Sequence, residues 1–157
     1  MNSDFCFLFG SSIAPESCLL GVLDALEHCY AEHKIRTFIV GHYGNFDRIA
    51  ANALTMLKTY HDDINLLLLI PYHPSTHPIE PRQGFQTYYP DGQETVIPKF
   101  AIATANNKMI QECSVAVCYP HGVTNSRKMY EKILKRKIPI YNVKEFLNIH
   151  IERPSND

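Results

Sequence analysis

Apolar and polar positions follow two recurring patterns along the chain. Short, nearly continuous apolar runs are typical of strands buried on both faces, and they occur at residues 4–9, 36–40, 64–70, 114–119 and 138–143. Apolar residues three and four positions apart predict helices between these runs, over residues 15–33, 45–60, 100–113 and 129–134. This alternation predicts an α/β fold, namely a Rossmann-like three-layer αβα sandwich around a five-stranded, mainly parallel sheet of order 3-2-1-4-5.

Residues 71–98 interrupt the alternation after the third predicted strand. Six of the ten prolines fall here, among several aromatic residues. A long irregular connection in a compact domain is usually functional or disordered, and the aromatic content argues against disorder. We therefore interpret it as an ordered lid over the carboxyl edge of the sheet, and a structural wrap is the alternative. Residues 1–157 form one predicted domain, in which 144–157 are a C-terminal tail that packs as a short helix or edge element and frays after residue 152.

The stretch from Thr37 to Leu57 predicts a strand, a glycine-containing turn and the start of a helix. Such a turn can present free backbone amides and the positive end of a helix dipole to a phosphate or carboxylate. Asn45 is the expected N-cap residue and Asp47 falls in the first helical turn. A tight connection capped by its own Asp is the competing interpretation.

Two further loops resemble this turn in being short, polar and glycine-containing. They are residues 9–12 and 119–126, and both follow predicted strands. In an open parallel sheet, ligands bind at the carboxyl ends of the strands where the strand order reverses. With the predicted order, these two loops flank the reversal and the 41–47 turn lies beside them. We expect a ligand there.

Composition narrows the classes of partner. The 157-residue chain carries 15 basic and 16 acidic residues, a net charge of −1, which argues against nucleic acid and anionic membranes as partners. The N-terminus lacks the basic region of a signal peptide and no apolar run is long enough for a membrane span. The five cysteines are odd in number and form no Cys-x-x-Cys pair, so a reducing, cytoplasmic location is expected.

Several short motifs together resemble the SLOG superfamily, and most closely its small single-domain bacterial members near the YpsA-like branch. The motifs are Phe9-Gly10-Ser11, the 41–47 turn with Phe46-Asp47, Pro71-Tyr72, Tyr88-Tyr89-Pro90, Asn106 with Met109-Ile110, and Ile140-Tyr141-Asn142-Val143. The resemblance spans residues 5–143 and implies a Rossmann-like domain that binds a nucleotide or nucleotide-derived ligand. The residues expected at the ligand, from the loops and the resemblance together, are Gly10, Ser11, Ser12, Gly41, His42, Tyr43, Gly44, Phe46, Asp47, Asn106, Tyr119, His121, Gly122, Thr124, Asn125 and Ser126.

Catalysis is left open by the sequence. The LOG phosphoribohydrolases, which are relatives in that superfamily, use a glutamate in a loop that matches residues 120–126, where this chain has no carboxylate. Candidate catalytic residues are therefore Asp47, His42 and His121, with Asp47 equally able to bind a ribose hydroxyl or to cap its helix. His73 and His77 are each followed by proline, which argues against a helical metal pair, and no metal or cofactor is expected.

The leading expectation is a sensor or effector domain that binds a nucleotide or a nucleotide-derived small molecule. One alternative is a hydrolase or transferase acting on an N-glycosidic bond. A second alternative is a protein-interaction scaffold whose pocket has decayed. Self-association into a homo-oligomer is a further expectation, because the aromatic lid and the apolar tail could cover a neighbouring copy.

Overall fold

A computed structural model describes residues 4–145 of the chain. Its strands are β1 (Cys6–Gly10), β2 (Thr37–Val40), β3 (Asn65–Leu69), β4 (Phe85–Tyr88), β5 (Val115–Tyr119) and β6 (Ile140–Asn142). Its α-helices are α1 (Leu19–Glu32), α2 (Asn45–Tyr60), α3 (Ala101–Glu112) and α4 (Asn125–Leu134). Short 3₁₀ turns occupy Glu16–Cys18, Gln93–Thr95 and Pro98–Phe100.

The strands form one sheet of six, in the order β4-β3-β2-β1-β5-β6, and every pairing is parallel. The expected α/β fold with a parallel sheet flanked by helices is therefore confirmed, but the expected count of five strands is wrong. The additional strand, β4, lies at the edge of the sheet beside β3 and falls inside the proline-rich connection. The strand order reverses between β1 and β5, as the sequence predicts.

Alternate residues of the central strand divide the core into two halves. Cys6 and Leu8 of β1 face one apolar cluster, which includes buried residues of α1 and α2. Phe7 and Phe9 face a second cluster, which includes buried residues of α3 and α4. This period of two is the geometry of a strand covered on both faces. The helices therefore form one layer on each side of the sheet, which leaves the carboxyl edge open for loops.

The start of α2 is seated directly on the end of β1. A Cβ atom placed on Gly10 would lie 2.5 Å from Cγ of Phe46, whose side chain is fully buried. The backbone amides of Asn45 and Phe46 donate to the carbonyls of Ser12 and Ser11, at 3.2 and 3.3 Å. Only glycine permits such an approach at position 10. The loops after β1 and β2 are thereby joined into one packed unit.

The N-cap position of α2 differs from the expectation. Gly44, with φ of +92°, precedes the helix, and Asn45 is its first residue. The side chain of Asn45 donates to the carbonyl of Ala14 at 2.8 Å, so it ties α2 to the loop after β1. A Cβ atom on Gly44 would lie 3.0 Å from Cα of Ser12, which adds a packing reason for glycine there.

Other expectations from the sequence have mixed outcomes. Residues 71–98 contain β4 and a 3₁₀ turn, so part of the expected irregular lid is regular structure. The tail beyond residue 145 lies outside the described residues. All five cysteines are buried, unpaired thiols. Among the helices of residues 4–145, none has both the length and the apolar character that crossing a membrane requires.

Replacement of Gly10 by alanine should destabilise the protein. We expect the free energy of unfolding to fall by about 2 kcal/mol, because the added methyl group overpacks the contact with Phe46. Urea denaturation followed by circular dichroism measures the change. In a Phe46→Ala background, which removes the Cγ and Cδ2 atoms nearest to the added methyl group, the same Gly10→Ala substitution should cost less than about 1 kcal/mol. Equal costs in the two backgrounds would show that another contact requires the glycine.

Candidate functional site

A cleft of about 390 Å³ opens at the reversal of strand order, between the ends of β1 and β5. We call it the polar cleft. The residues expected at the ligand that line it are Gly10, Ser11, Ser12, Gly41, Tyr43, Asp47, Asn106, Thr124, Asn125 and Ser126. The other lining residues are Phe7, Leu8, Phe9, Ile102 and Met129. The three loops singled out in the sequence therefore contribute to one concave site.

Some of the expected residues lie elsewhere. His42 and Gly44 line a neighbouring cavity, and Phe46 is buried beneath Gly10. The carbonyl of Tyr119 accepts the amide of Ser11, and the amide of His121 donates to the Ser126 hydroxyl.

Neither Tyr119, His121 nor Gly122 is among the residues that line the polar cleft. His42 and His121, two of the candidate catalytic residues, are therefore both absent from the lining of the cleft.

Asp47 is the titratable carboxyl group of the polar cleft. It follows Phe46 in the first turn of α2, so the seating of that turn on β1 fixes its position. Burial raises the pKa of Asp47 to about 7, against a hydrogen bond from the Tyr43 amide, at 2.9 Å, that lowers it. A carboxyl group with this pKa near the working pH is a candidate for binding a hydroxyl group or for moving a proton.

Glycine at position 41 makes room for this carboxyl group. A Cβ atom on Gly41 would lie 2.9 Å from Oδ2 of Asp47. The carboxyl group therefore rests against the backbone at the end of β2.

The start of α2 offers fewer free amides than the sequence suggests. The amides of Asn45 and Phe46 already donate to carbonyls of the β1 loop, and the Tyr43 amide donates to Asp47. An anion at this helix start would therefore meet a carboxyl group, and the amides of Tyr43, Asn45 and Phe46 are not free to bind it. The role expected for the 41–47 turn as a phosphate site is not supported by these contacts.

At the start of α4, fewer backbone amides already donate hydrogen bonds. Within residues 4–145, the backbone amides of Asn125 and Ser126 have no hydrogen-bond acceptor. The hydroxyl groups there are used internally, because Thr124 donates to the His121 carbonyl at 2.6 Å and lies 2.7 Å from the Ser126 oxygen. Free amides at a helix start suit an anionic group. The β5 side of the polar cleft is therefore its better anion site.

Among residues 4–145, no lysine or arginine lines the polar cleft. On α3, Asn106 contributes a half-buried amide that makes no hydrogen bond to any other described residue. Ser12 is exposed at the end of β1, and no partner of its hydroxyl is found in residues 4–145. The site therefore offers neutral donors and one titratable acid, which suits hydroxyl groups and a limited negative charge.

Two further cavities adjoin the polar cleft. One, of about 240 Å³, shares Gly41 and Asp47 with it and is also lined by Arg48 and Arg82. Arg48 pairs with Glu16, and Arg82 donates to the side chain of Asn52 at 2.8 Å.

The other, of about 510 Å³, shares Tyr43 and Ile102 with the polar cleft and is lined mainly by residues 70–79. We call it the aromatic cavity. The aromatic residues of the proline-rich connection are the feature of the sequence that indicates this cavity. The sequence alone does not show where they lie relative to the sheet, because that depends on tertiary packing.

The histidines at 73 and 77 make local contacts. His73 lies 2.8 Å from the Ser75 hydroxyl, and the ring of His77 stacks on Tyr72 with a centroid distance of 4.2 Å. Among the described residues there is no group of three or more His, Cys, Asp or Glu side chains that could hold a metal ion.

Ionisation of Asp47 should make the protein less stable as the pH rises. The pKa of the folded state lies above the ordinary value of 3.8, so the folded state keeps a proton that the unfolded chain releases between about pH 4 and pH 7. In Asp47→Asn this loss should be absent, and the variant should gain about 2 kcal/mol over the wild type between pH 5 and pH 8. Urea denaturation at the two pH values measures the gain.

Asp62→Asn is the matched control, since Asp62 is exposed. Its stability relative to the wild type should be the same at both pH values. A similar independence of pH in Asp47→Asn would mean that Asp47 is ionised at the acid end of the range, contrary to its burial.

No protein-family model matches the chain, and no curated protein is significantly similar to it. The case for a function therefore depends on the geometry and chemistry of the polar cleft.

Proposed function

We propose that this protein binds a nucleotide or nucleotide-derived small molecule in the polar cleft. The observation that carries the proposal is the placement of two different polar ends on one concave site. Asp47 follows β2, and the free amides of α4 follow β5, with β1 between them. Two strand spacings separate these ends by about 10 Å. That span suits a sugar joined to a phosphate.

The orientation of the ligand follows from charge. The phosphate lies at the start of α4, where the amides of Asn125 and Ser126 are free and no carboxyl group lines the cleft. A ribose hydroxyl lies at Asp47, which accepts its hydrogen bond. Asn106 supplies a further donor and acceptor from α3. The absence of a lysine or arginine from the lining favours a ligand with few charges over a triphosphate.

Two other observations support this proposal. The motifs that resemble the SLOG superfamily include Gly10, Ser11, Asp47 and Asn106, which line the cleft. The cleft is also open, with about 390 Å³ of space, which is within the ~300–1,000 Å³ range of small-molecule sites. An open cleft gives no support to the alternative of a scaffold with a decayed pocket.

Isothermal titration of the purified protein with nucleoside monophosphates and nucleotide sugars tests the proposal. We expect at least one of them to bind, and Asn106→Ala to weaken that binding about tenfold, because the variant loses hydrogen bonds to the ligand. Asn107→Ala is the control, since Asn107 is the next residue of α3 and its side chain pairs with Lys132 outside the cleft. It should bind as the wild type does.

Failure of every compound in this panel to bind would contradict the proposal. Equal weakening in the two variants would also contradict it, since the ligand would then lie outside the polar cleft.

A second candidate function is favoured by the raised pKa of Asp47. A buried carboxyl group with a pKa of about 7 can act as a general base near neutral pH. In that case Asp47 would take a proton from a water molecule that attacks the anomeric carbon of the sugar. The N-glycosidic bond would break with its electron pair on the nitrogen of the nucleobase, which would take a proton from solvent as it leaves, and the proton on Asp47 would return to solvent. His42 and His121 lie outside the lining of the cleft, so this route uses Asp47 without them.

Incubation with a nucleotide panel and chromatography of the released bases distinguishes binding from turnover. If the protein is a hydrolase, the rate should rise with pH through about 7, because the ionised carboxylate is the active form. Asp47→Asn should lower the rate at least 100-fold. Turnover that persists in this variant would exclude Asp47 as the base, and a lack of released base from any nucleotide would leave binding as the function.

A further inference from the structure

The aromatic cavity adjoins the polar cleft. Tyr43 and Ile102 line both spaces, so the two spaces meet at these side chains. The cavity measures about 510 Å³, which exceeds the volume of the polar cleft. A ligand that enters the polar cleft with one end can therefore extend its other end past Tyr43.

The walls of the aromatic cavity present flat, apolar surfaces. Tyr72 and His77 stack at a centroid distance of 4.2 Å and an interplanar angle of 20°, while the rings of His42 and Tyr43 lie 4.1 Å apart. The lining is completed by apolar side chains, namely Ile70, Pro71, Pro78, Ile79 and Ile102. Flat rings held at such walls favour stacking with another planar ring.

Tyr72 is held in place from two sides. Its hydroxyl donates to the Pro98 carbonyl at 3.2 Å, and its ring is stacked on His77. Tyr43 lines the same cavity, and partial burial, together with the nearby Tyr72, raises the pKa of Tyr43 above its ordinary value. The two tyrosines therefore belong to the same cavity although they come from separate segments of the chain.

The side chains of the aromatic cavity suit an uncharged ligand. Its lining contains no lysine, arginine, aspartate or glutamate. Partial burial lowers the pKa of His42, against a hydrogen bond with the Leu69 backbone that raises it, so this imidazole is neutral near pH 7. An ionic group gains nothing here, whereas an uncharged aromatic ring replaces water at apolar walls.

We propose that the aromatic cavity is the nucleobase subsite of this protein, in which a base stacks against Tyr72 and Tyr43 while its sugar and phosphate occupy the polar cleft. The proposal rests on the proposed function and adds the part of the ligand that gives selectivity. It also gives residues 70–79 of the proline-rich connection a role, because these residues form the wall against which the base lies.

Comparison of two kinds of probe tests the subsite. AMP, GMP, CMP and UMP carry a base, whereas ribose 5-phosphate has the same sugar and phosphate without one. By isothermal titration we expect at least one of the four nucleotides to bind about tenfold more tightly than ribose 5-phosphate, because stacking on an aromatic side chain strengthens binding by about that factor. In Tyr72→Leu that preference should be lost while the affinity for ribose 5-phosphate is unchanged.

Matched variants distinguish the loss of the Tyr72 ring from a general effect on the fold. Tyr72→Phe keeps the ring and removes only the hydrogen bond to Pro98, so it should keep the preference. Tyr89→Leu is the same substitution at a tyrosine whose ring contacts His73, outside the cavity, and it should also keep the preference. Tyr43→Leu, at the other tyrosine of the lining, should reduce the preference as Tyr72→Leu does.

A spectroscopic measurement provides an independent readout. The chain contains no tryptophan, so the fluorescence of 2-aminopurine riboside 5′-monophosphate can be followed without interference from that residue. Stacking quenches this fluorophore. Emission should fall on binding to the wild type and to Tyr89→Leu, and should remain high when Tyr72→Leu is saturated with the probe.

The outcomes distinguish this inference from the proposed function. If ribose 5-phosphate and the four nucleotides bind equally well, and Tyr72→Leu changes neither, the base is not held in the aromatic cavity, but the polar cleft still binds a sugar phosphate. If none of the five compounds binds, the proposed function and the subsite both fail.

Discussion

The docking of the first turn of α2 on the end of β1 sets the geometry on which the candidate site depends. Phe46 lies directly against Gly10, and the amides of Asn45 and Phe46 bond to the carbonyls of the β1 loop. Asp47 is the next residue, so its carboxyl group is directed to the end of β2, where Gly41 leaves room for it. A packing contact in the core thus fixes the position of the group with the most unusual electrostatics in the cleft.

The raised pKa of Asp47 means that its ionisation lowers the stability of the folded protein. A carboxyl group is partly buried without a basic side chain in the lining of the cleft, and its ionisation near pH 7 opposes folding. Natural proteins tend to keep destabilising groups of this kind at functional sites. Around it, the amides of Asn45 and Phe46 at the α2 start donate within the protein, while within residues 4–145 those of Asn125 and Ser126 at the α4 start have no acceptor. The cleft is therefore polar at both ends but electrostatically different at each, which gives a bound molecule one preferred direction.

The sequence predicted much of the fold because β1, β2, β3 and β5 are mostly buried, and such continuous apolar runs are typical of a parallel sheet covered by two helical layers. The sequence did not predict β4, because it is an edge strand with exposed Gln86 and Thr87 and lies among prolines. Gly84 and the aromatic residues of β4 could have indicated the strand. The sequence also grouped the loops correctly at one edge. It could not show which amides are already bonded, nor that His42 and His121 lie outside the cleft, because those facts depend on contacts between distant segments.

The loop after β5 differs from the rest of the rim in its surroundings. Val123 is 96% exposed, and the space around a Cβ atom on Gly122 contains no other atom within 4 Å. The start of α2, on the other side of the cleft, is packed against the core through Phe46. Because little packs against Gly122 and Val123, a larger side chain at position 123 is accommodated without displacing the core, whereas one at Gly10 is not.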